Sequence, residues 1–326
     1  MKLAALATVA VSVGTAFPTV GLGQDFPVTI THQFGETTIA VAPVRVVSVG
    51  MHEQDFLYTL GIAPVGVHEW WGDYPYATWP WAEAAREAAG ATPEVLKGFD
   101  INIEWVAAQH PDLIVATYYG DLDEATYRLL SAIAPTITAP KGFPQWGAPW
   151  QDELRLLGQA TGRSAKAEEI IVGIDAGFAA ARAAFPALAG KQAAVGYFDN
   201  GLVRTYNSAD TSHRFLASLG LTIPKLYDDK AAERGHFDIS PENLSLIELD
   251  AFVWPEGMAG IGELSVYQAT RLHREGRDIS LEGGVLSGAL SFQTPPALGY
   301  LIDTLPPMLA AAVDGDPATA VPPPAH

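Results

Sequence analysis

The sequence of 326 residues predicts an α/β protein of two Rossmann-like lobes, each built on a parallel sheet and joined by one long α-helix, with a ligand cleft between them. Two observations predict this fold. A pattern of helix, aspartate and buried strand occurs once in each half of the chain. Between the two copies, residues 164–185 form a single run with the periodicity of a helix.

The repeated pattern begins with a residue that favours the N-cap of a helix, Asn102 in the first half and Ser240 in the second. Each cap candidate is followed two residues later by a glutamate, Glu104 or Glu242, and eight residues after that by an aspartate that precedes an apolar strand. Two copies of one plan indicate two lobes related by an approximate twofold axis.

Other elements strengthen the match between the halves. The first half predicts strand 44–49, helix 53–60 and strand 65–67, and the second predicts strand 193–198, a turn at Asn200-Gly201 and helix 211–219. Glycine follows the last turn of both helices, where it commonly ends a helix. Short apolar strands that alternate with helices are typical of a parallel sheet covered on both faces.

Between the halves, Ile170, Ile171, Ile174 and Phe178 recur at helical spacing in a segment without proline. The sequence therefore predicts a signal peptide at 1–23, an N-terminal lobe at 24–162, a connecting helix at 163–188, a C-terminal lobe at 189–313 and a disordered tail at 314–326. A single continuous helix is expected to act as a brace that allows little relative movement of the lobes.

The signal peptide is predicted from Lys2, the apolar stretch Leu3–Val13 and the small residues up to Gly23. We expect export to the periplasm and a soluble monomer, because no later segment reads as a membrane span. A net charge of −18 argues against nucleic acid or an anionic membrane as partner. The absence of cysteine excludes disulfides, thiolate metal sites and a lipid-anchored cysteine.

The candidate binding residues are those that follow the carboxyl ends of the predicted strands, where ligands bind in open parallel sheets. Most are aromatic, and a rigid aromatic cleft suits a bulky, partly apolar ligand. The candidates are His52, Trp70, Trp71, Tyr118, Tyr119, Arg204 and Trp254.

Each candidate also has a structural interpretation. The aromatic residues can be loop-packing residues, and Arg204 can be a surface residue paired with Asp199 or Asp210. His52 can instead join His68 and other loop histidines in a site for a divalent ion, but ordinary loop histidines are the more common case.

Catalytic motifs are missing from the sequence. It contains no G-x-S-x-G, no G-x-x-x-x-G-K, no H-E-x-x-H, and no G-x-G-x-x-G after a strand. The sequence therefore predicts a protein that is not an enzyme and needs no cofactor. An exported α/β hydrolase remains the alternative from another functional class.

Three segments resemble the helix-braced periplasmic binding proteins for siderophores and cobalamin, over about residues 28–312. They are LGIAPVGV (60–67), NIEWVAAQHPDLIVA (102–116) and GALSFQTPPALGYLIDTLPPML (288–309). The stretch VHEWWGDYPY (67–76) favours the iron–siderophore branch. The resemblance implies a protein that captures a ferric siderophore and delivers it to the permease dimer of an ABC importer. Haem, cobalamin or a free metal ion are the alternative ligands.

The resemblance also implies roles for individual residues. Tyr119, before Gly120, matches a tyrosine that meets the ligand in hydroxamate-binding members, whereas their arginine upstream of the cap motif is replaced here by Lys97. Glu104 and Glu242 match the glutamates that meet arginines of the permease, although a first-turn glutamate also stabilises its own helix. The few cations near the cleft indicate a ligand of low net charge, and the class of siderophore stays open.

Overall fold

A computed structural model describes residues 25–69, 71–120, 122–143 and 146–323. The predicted signal peptide and Trp70 lie outside these described residues. Two five-stranded sheets form the centres of two lobes, and a small hairpin accompanies the first sheet.

The N-terminal lobe contains the parallel sheet that the sequence predicts, with strand order β5-β4-β3-β6-β7. Its strands, with the preceding hairpin β1–β2, are β1 (Val28–His32), β2 (Gly35–Ile39), β3 (Val46–Ser48), β4 (Gly66–Glu69), β5 (Glu94–Lys97), β6 (Leu113–Ala116) and β7 (Thr136–Thr138). Its helices are α1 (Glu53–Thr59), α2 (Glu83–Ala89), α3 (Ile103–Ala108), α4 (Glu124–Ser131) and α5 (Trp150–Ala160), with 3-10 turns at Pro75–Ala77 and Pro80–Ala82.

The connecting helix α6 spans Ser164–Ala184, one residue shorter than the predicted run. Ala167 and Ile171 in its first half belong to the core of the N-terminal lobe. Phe178 and Ala181 in its second half belong to the core of the C-terminal lobe. One helix therefore contributes to two cores, which supports its predicted role as a brace.

The C-terminal lobe has strand order β10-β9-β8-β11-β12. Its strands are β8 (Ala193–Asp199), β9 (Leu202–Tyr206), β10 (His236–Ile239), β11 (Ala251–Trp254) and β12 (Asp278–Ser280). Its helices are α7 (Thr211–Ser218), α8 (Lys225–Ala231), α9 (Ser265–Gln268), α10 (Arg271–Arg274), α11 (Gly284–Phe292) and α12 (Pro295–Val313). The 3-10 helices are Pro186–Leu188, Ala232–Arg234, Pro241–Ile247 and Ile261–Glu263.

This second sheet is mixed, so the prediction of a parallel sheet in both lobes is wrong for the C-terminal lobe. Strands β8 and β9 pair antiparallel, as do β9 and β10. The cause is the turn Asn200-Gly201, where both residues have positive φ (49° and 78°). Two left-handed residues form the hairpin turn whose twist matches antiparallel strands, so the chain returns beside β8 instead of crossing over.

The repeated aspartates have the same structural role in both lobes. The carboxylate of Asp112 accepts hydrogen bonds from the backbone N–H groups of Val44 and Arg45, both at 2.8 Å. Asp250 accepts one from the N–H of Gln192, also at 2.8 Å. Each aspartate thereby ties the start of its own strand to the chain entering the neighbouring central strand, which accounts for its position in the repeat.

The two helix starts of the repeat differ. Asn102 caps α3 by accepting a hydrogen bond from the N–H of Trp105 at 2.9 Å. Ser240 makes no such bond, and the helix that follows it is the 3-10 helix Pro241–Ile247. The predicted cap is therefore confirmed in the first lobe and wrong in the second.

Among the helices of the described chain, α12 is long and apolar enough to cross a membrane by length and composition, which corrects the expectation that no later segment qualifies. Half of its apolar window is buried inside the protein. Leu301, Leu305 and Leu309 are completely buried in the core of the C-terminal lobe. Beyond α12, Val321 packs against the same core, so the predicted tail is not wholly detached from it.

Candidate functional site

The carboxyl ends of β4, β3 and β6 lie side by side because these strands are neighbours in the first sheet. Their following loops, together with the loop after β7 and α11 of the other lobe, line an open cavity of about 230 Å³, called here the aromatic cavity. Its lining residues are Met51, Trp71, Tyr118, Trp146, Ser291 and Phe292. The site is thus at the junction of the lobes, as the sequence predicts for a cleft.

His52 lies beneath this cavity and supports its floor. The imidazole stacks on the ring of Tyr118, with centroids 3.9 Å apart and an interplanar angle of 25°. Its Nδ1 is 3.1 Å from the carbonyl oxygen of Phe292, and its Nε2 is 3.1 Å from Oε1 of Glu153. Since Phe292 belongs to the C-terminal lobe, His52 connects the two lobes while holding Tyr118 in place.

The charge state of His52 follows from its surroundings. Burial alone would lower its pKa, but the carboxylates of Glu153, Glu53 and Asp55 outweigh burial and raise the pKa above the usual value. The protonated ring donates a hydrogen bond from each nitrogen, one to the Phe292 carbonyl and one to Glu153. With its side chain 3% exposed, His52 supports the aromatic cavity through Tyr118 and also lines a small cavity between the lobes.

A second contact between the lobes involves the buried carboxylate of Asp55. Its Oδ2 accepts hydrogen bonds from Nε1 of Trp81 at 2.8 Å and from Oγ1 of Thr294 at 2.7 Å. Thr294 lies at the start of α12, so this bond also crosses between the lobes. Burial raises the pKa of Asp55 to about 6, because the charged form is poorly solvated there.

This raised pKa predicts a stability effect for Asp55→Asn. Because the folded-state pKa is above the unfolded value, Asp55 contributes stability at low pH that is lost as the pH rises from about 4 to about 6. Asparagine removes that loss, so the variant should gain about 2 kcal/mol relative to the native protein between pH 4 and pH 7. Urea unfolding at both pH values measures the difference.

The exposed residue Asp100 provides a matched control for that experiment. Asp100→Asn is expected to follow the native unfolding curves at both pH values. If Asp55→Asn differs from the native protein by the same amount at pH 4 and at pH 7, the raised pKa of Asp55 is refuted.

Arg214 was not among the predicted site residues, yet it lies between the lobes. It is on α7, and its guanidinium donates to the carbonyl oxygens of Gly147 at 2.9 Å and Ala148 at 3.2 Å. It also lines a small cavity of about 90 Å³ next to His52 and Tyr118. Arg214 lies inside a helix rather than after a strand, so its sequence position does not mark it as a binding residue.

A larger open cavity of about 540 Å³, called here the C-lobe cavity, lies at the β8–β9 hairpin. The residues that line it include Tyr197, Phe198, Asp199, Arg204, Tyr206 and Glu256. Arg204 is thus at a cavity, as predicted, but it lies on β9 and its guanidinium pairs with Asp238 at 2.8 Å and 3.2 Å. The partner is neither Asp199 nor Asp210.

The prediction that Trp254 lines the cleft is wrong. Trp254 is the last residue of β11 and is completely buried. Its ring packs against Phe252, with centroids 4.5 Å apart, and against Tyr267 at 5.9 Å. The residue ends a strand in sequence, but its side chain belongs to the core of the C-terminal lobe.

Tyr119 and Lys97 lie apart from the three cavities described above. The hydroxyl of Tyr119 donates to the carbonyl oxygen of Phe99 at 2.7 Å. Lys97 is at the end of the edge strand β5 and pairs with Asp73 at 2.6 Å and Glu69 at 3.3 Å. In this structure their polar atoms are therefore engaged by neighbouring residues of the N-terminal lobe.

The histidines that a metal site would need do not converge. Among the described residues, no group of three or more histidine and carboxylate side chains is placed to hold a metal ion. His68 contacts the carbonyl oxygens of Val49 and Gly98 at 2.8 Å and 2.7 Å. His213 lies 2.9 Å from the N–H of Val195 and 2.8 Å from the carbonyl oxygen of Asn207. These rings satisfy backbone groups instead.

The two repeated glutamates are both exposed. Glu104 is in the first turn of α3, and Glu242 is in the first turn of the 3-10 helix of the other lobe. A hydrogen bond from the side chain of Ser240 lowers the pKa of Glu242. Each lobe therefore presents a carboxylate to solvent at an equivalent place in the repeat.

Comparison with known proteins identifies the class of protein that this fold and cleft define. Residues 46–260 match the family described as "Periplasmic binding protein". A periplasmic solute binding protein of Mycobacterium smegmatis is 33% identical, with a TM-score of 0.76 over 88% of this chain and 98% of that one. The chain belongs to the periplasmic binding protein family. No curated protein matches the chain.

Two further structures share the fold at lower identity. PiaA of Streptococcus pneumoniae in complex with ferrichrome is 21% identical, with a TM-score of 0.77 over 88% of this chain and 99% of that one. SirA of Staphylococcus aureus complexed with staphyloferrin B is 21% identical, with a TM-score of 0.69 over 85% and 96%. The family predicted from the sequence is therefore confirmed, and with it a solute-binding role outside the cytoplasm.

Proposed function

We propose that the protein captures a ferric siderophore at the junction of its lobes and delivers it to the permease dimer of an ABC importer. The observation that carries this proposal is the aromatic cavity, to which Trp71, Tyr118 and Trp146 contribute rings from one lobe and Phe292 from the other. Flat, weakly polar rings suit the outer surface of a bulky chelate. The ligands of PiaA and SirA, which share the fold, support this class of solute.

The donor groups of the cleft favour a preformed chelate over free iron. His52 is bonded on both sides, and His68 and His213 serve backbone groups. A siderophore already fills the coordination positions of the iron, so the protein needs only to recognise its exterior. A free metal ion requires several ligands that the cleft would have to supply, and within the described residues no group of three or more such side chains is placed to do so.

Fluorescence titration tests this proposal, because Trp71 is 44% exposed and Trp146 is 37% exposed beside the cavity. A ferric siderophore should quench tryptophan emission in a saturable manner, and the same concentration of ferric salt should not. Tyr118→Ala should weaken binding at least about tenfold, since it removes a central aromatic contact. Equal quenching by iron salt and by the chelate would contradict capture of a preformed complex.

We further propose that residues 1–23 are a cleaved signal peptide that exports the protein to the periplasm, where it acts as a monomer. The sequence pattern of Lys2, an apolar stretch and small residues supports export. Intact mass measurement of protein from the periplasm should show the loss of these residues. We also propose that the N-terminal lobe ends at residue 162 and that the C-terminal lobe begins at residue 189, on either side of the connecting helix.

A further inference from the structure

We propose that the C-lobe cavity binds a protonated amine of the cargo, so that the preferred ligand is a ferric chelate of zero or positive net charge. This inference rests on the proposed function and names the class of siderophore within it. The cavity is the largest of those described here, at about 540 Å³, and lies within the usual range for ligand pockets.

The C-lobe cavity adjoins the aromatic cavity. Tyr197 lines the former, and its phenol lies close enough to the side chain of Ser291, which lines the latter, for the two groups to interact. A chelate that rests on the aromatic cavity therefore extends a side arm past Tyr197 into the C-lobe cavity. Burial and the nearby charges of Asp210 and Glu256 raise the pKa of Tyr197 to about 12, so this boundary residue is a neutral phenol.

Aromatic rings form part of the wall that such an arm would meet. Tyr197 and Tyr206 are in edge-to-face contact, with centroids 6.1 Å apart and planes at 90°. Phe198 lines the cavity beside them. The faces of aromatic rings attract cations through the ring quadrupole, and they do so for ammonium groups in particular.

The charges in the C-lobe cavity have the sign that selects a cation. Arg204 and Asp238 neutralise each other through two hydrogen bonds. Asp199 and Glu256 remain, and within the described part of the chain neither forms an ion pair. Asp199 accepts a hydrogen bond from Asn200 at 2.7 Å, and Glu256 accepts one from Ser287 at 3.1 Å. Two carboxylates that form no salt bridge within the described residues thus lie beside an aromatic wall, and with Asp238 they outnumber the one cation of the cavity lining, Arg204.

A third carboxylate makes the surroundings more negative. Glu282 lies against the loop after β11, where its Oε2 is 3.0 Å from the position that a Cβ at Gly257 would occupy. An anionic chelate would be repelled by these carboxylates and by the net charge of −18 on the whole chain. Repulsion of like charges discriminates against the wrong ligand as effectively as attraction favours the right one. The same cavity therefore selects a cationic arm and disfavours a polyanionic chelate.

The test uses four ferric probes and calorimetric titration at pH 7. Three are the same linear trihydroxamate with a free terminal amine, with the amine acetylated, and with it succinylated, which differ by one unit of charge in turn. The fourth is a ferric tricatecholate, which is strongly anionic. We expect affinity to fall from the amine to the acetyl to the succinyl derivative, by about fivefold for each step, because Asp199 and Glu256 are both exposed and a charge pair at an exposed site contributes modestly.

The variant Asp199→Asn with Glu256→Gln tests the residues themselves. It should weaken binding of the amine probe about fivefold and leave the acetyl probe within about twofold of the native value. Asp229→Asn with Glu233→Gln is the matched control, because it removes the same two charges from exposed positions of this lobe outside the cavity. The control should bind all probes as the native protein does.

The outcomes separate this inference from the proposed function. Equal affinity for the three trihydroxamates overturns the inference and leaves siderophore capture intact. Tight binding of the tricatecholate without binding of any trihydroxamate also overturns the inference and leaves siderophore capture intact. Failure of every ferric chelate to bind overturns the proposed function, and the inference with it.

Discussion

Replacing Glu104 and Glu242 together by alanine is expected to abolish uptake through the cognate permease while leaving the affinity for the ferric siderophore unchanged. Both carboxylates are exposed, and each lies in the first turn of a helix in its own lobe. Neither lines the aromatic cavity, the small cavity beside Arg214 or the C-lobe cavity. A pair of equivalent charges on two lobes matches the two subunits of a permease dimer, and exposed charge pairs govern orientation and encounter.

Two measurements check this prediction, namely uptake of radiolabelled iron by cells that carry the permease and titration of the purified variant with the siderophore. Glu169→Ala with Glu233→Ala is the matched control, because it removes two exposed glutamates from other helices. The control should transport at the native rate. If the Glu104→Ala, Glu242→Ala variant transports at the native rate, the docking role is wrong and these residues only stabilise their helices.

The order of elements could largely be predicted from the sequence, since periodicity and helix-ending glycines are local signals. The connecting helix illustrates this, because the predicted run 164–185 and the observed Ser164–Ala184 agree to one residue. The mixed sheet was missed although its signal was also local. Asn200-Gly201 is a hairpin turn in sequence, but the expectation that the halves repeat the same plan overrode it.

The candidate site was predictable only where it follows from strand order. Trp71 and Tyr118 follow neighbouring parallel strands, and a search at strand ends finds both. Phe292 and Arg214 reach the junction from helices of the other lobe, far along the chain. Such contacts depend on how the lobes pack against each other, and no local pattern reports that. The sequence analysis therefore did not predict Phe292 and Arg214, although both contribute to the site.

The second large effect concerns Trp254 and Trp71, which the sequence predicts to be binding residues. The structure buries Trp254 in the core and places Trp71 at the aromatic cavity. Trp254→Ala should lower the free energy of unfolding by about 3–5 kcal/mol, because it leaves a large cavity between Phe252 and Tyr267. The affinity of the folded protein should change little. Trp71→Ala should do the reverse, since Trp71 is 44% exposed and lines the aromatic cavity.

Urea unfolding and calorimetric titration of both variants measure the two quantities without relying on tryptophan emission as the binding signal. Trp254→Phe serves as the intermediate case, because it keeps an aromatic ring in the core, and its loss of stability should be smaller than that of alanine. A weakened affinity in Trp254→Ala at native stability would contradict the placement of this ring in the core. A large loss of stability in Trp71→Ala at native affinity would remove Trp71 from the cleft. The two residues are of the same type and differ in burial. If one substitution lowers stability and the other lowers affinity, the binding site lies at the junction of the lobes and does not follow simply from the presence of tryptophan.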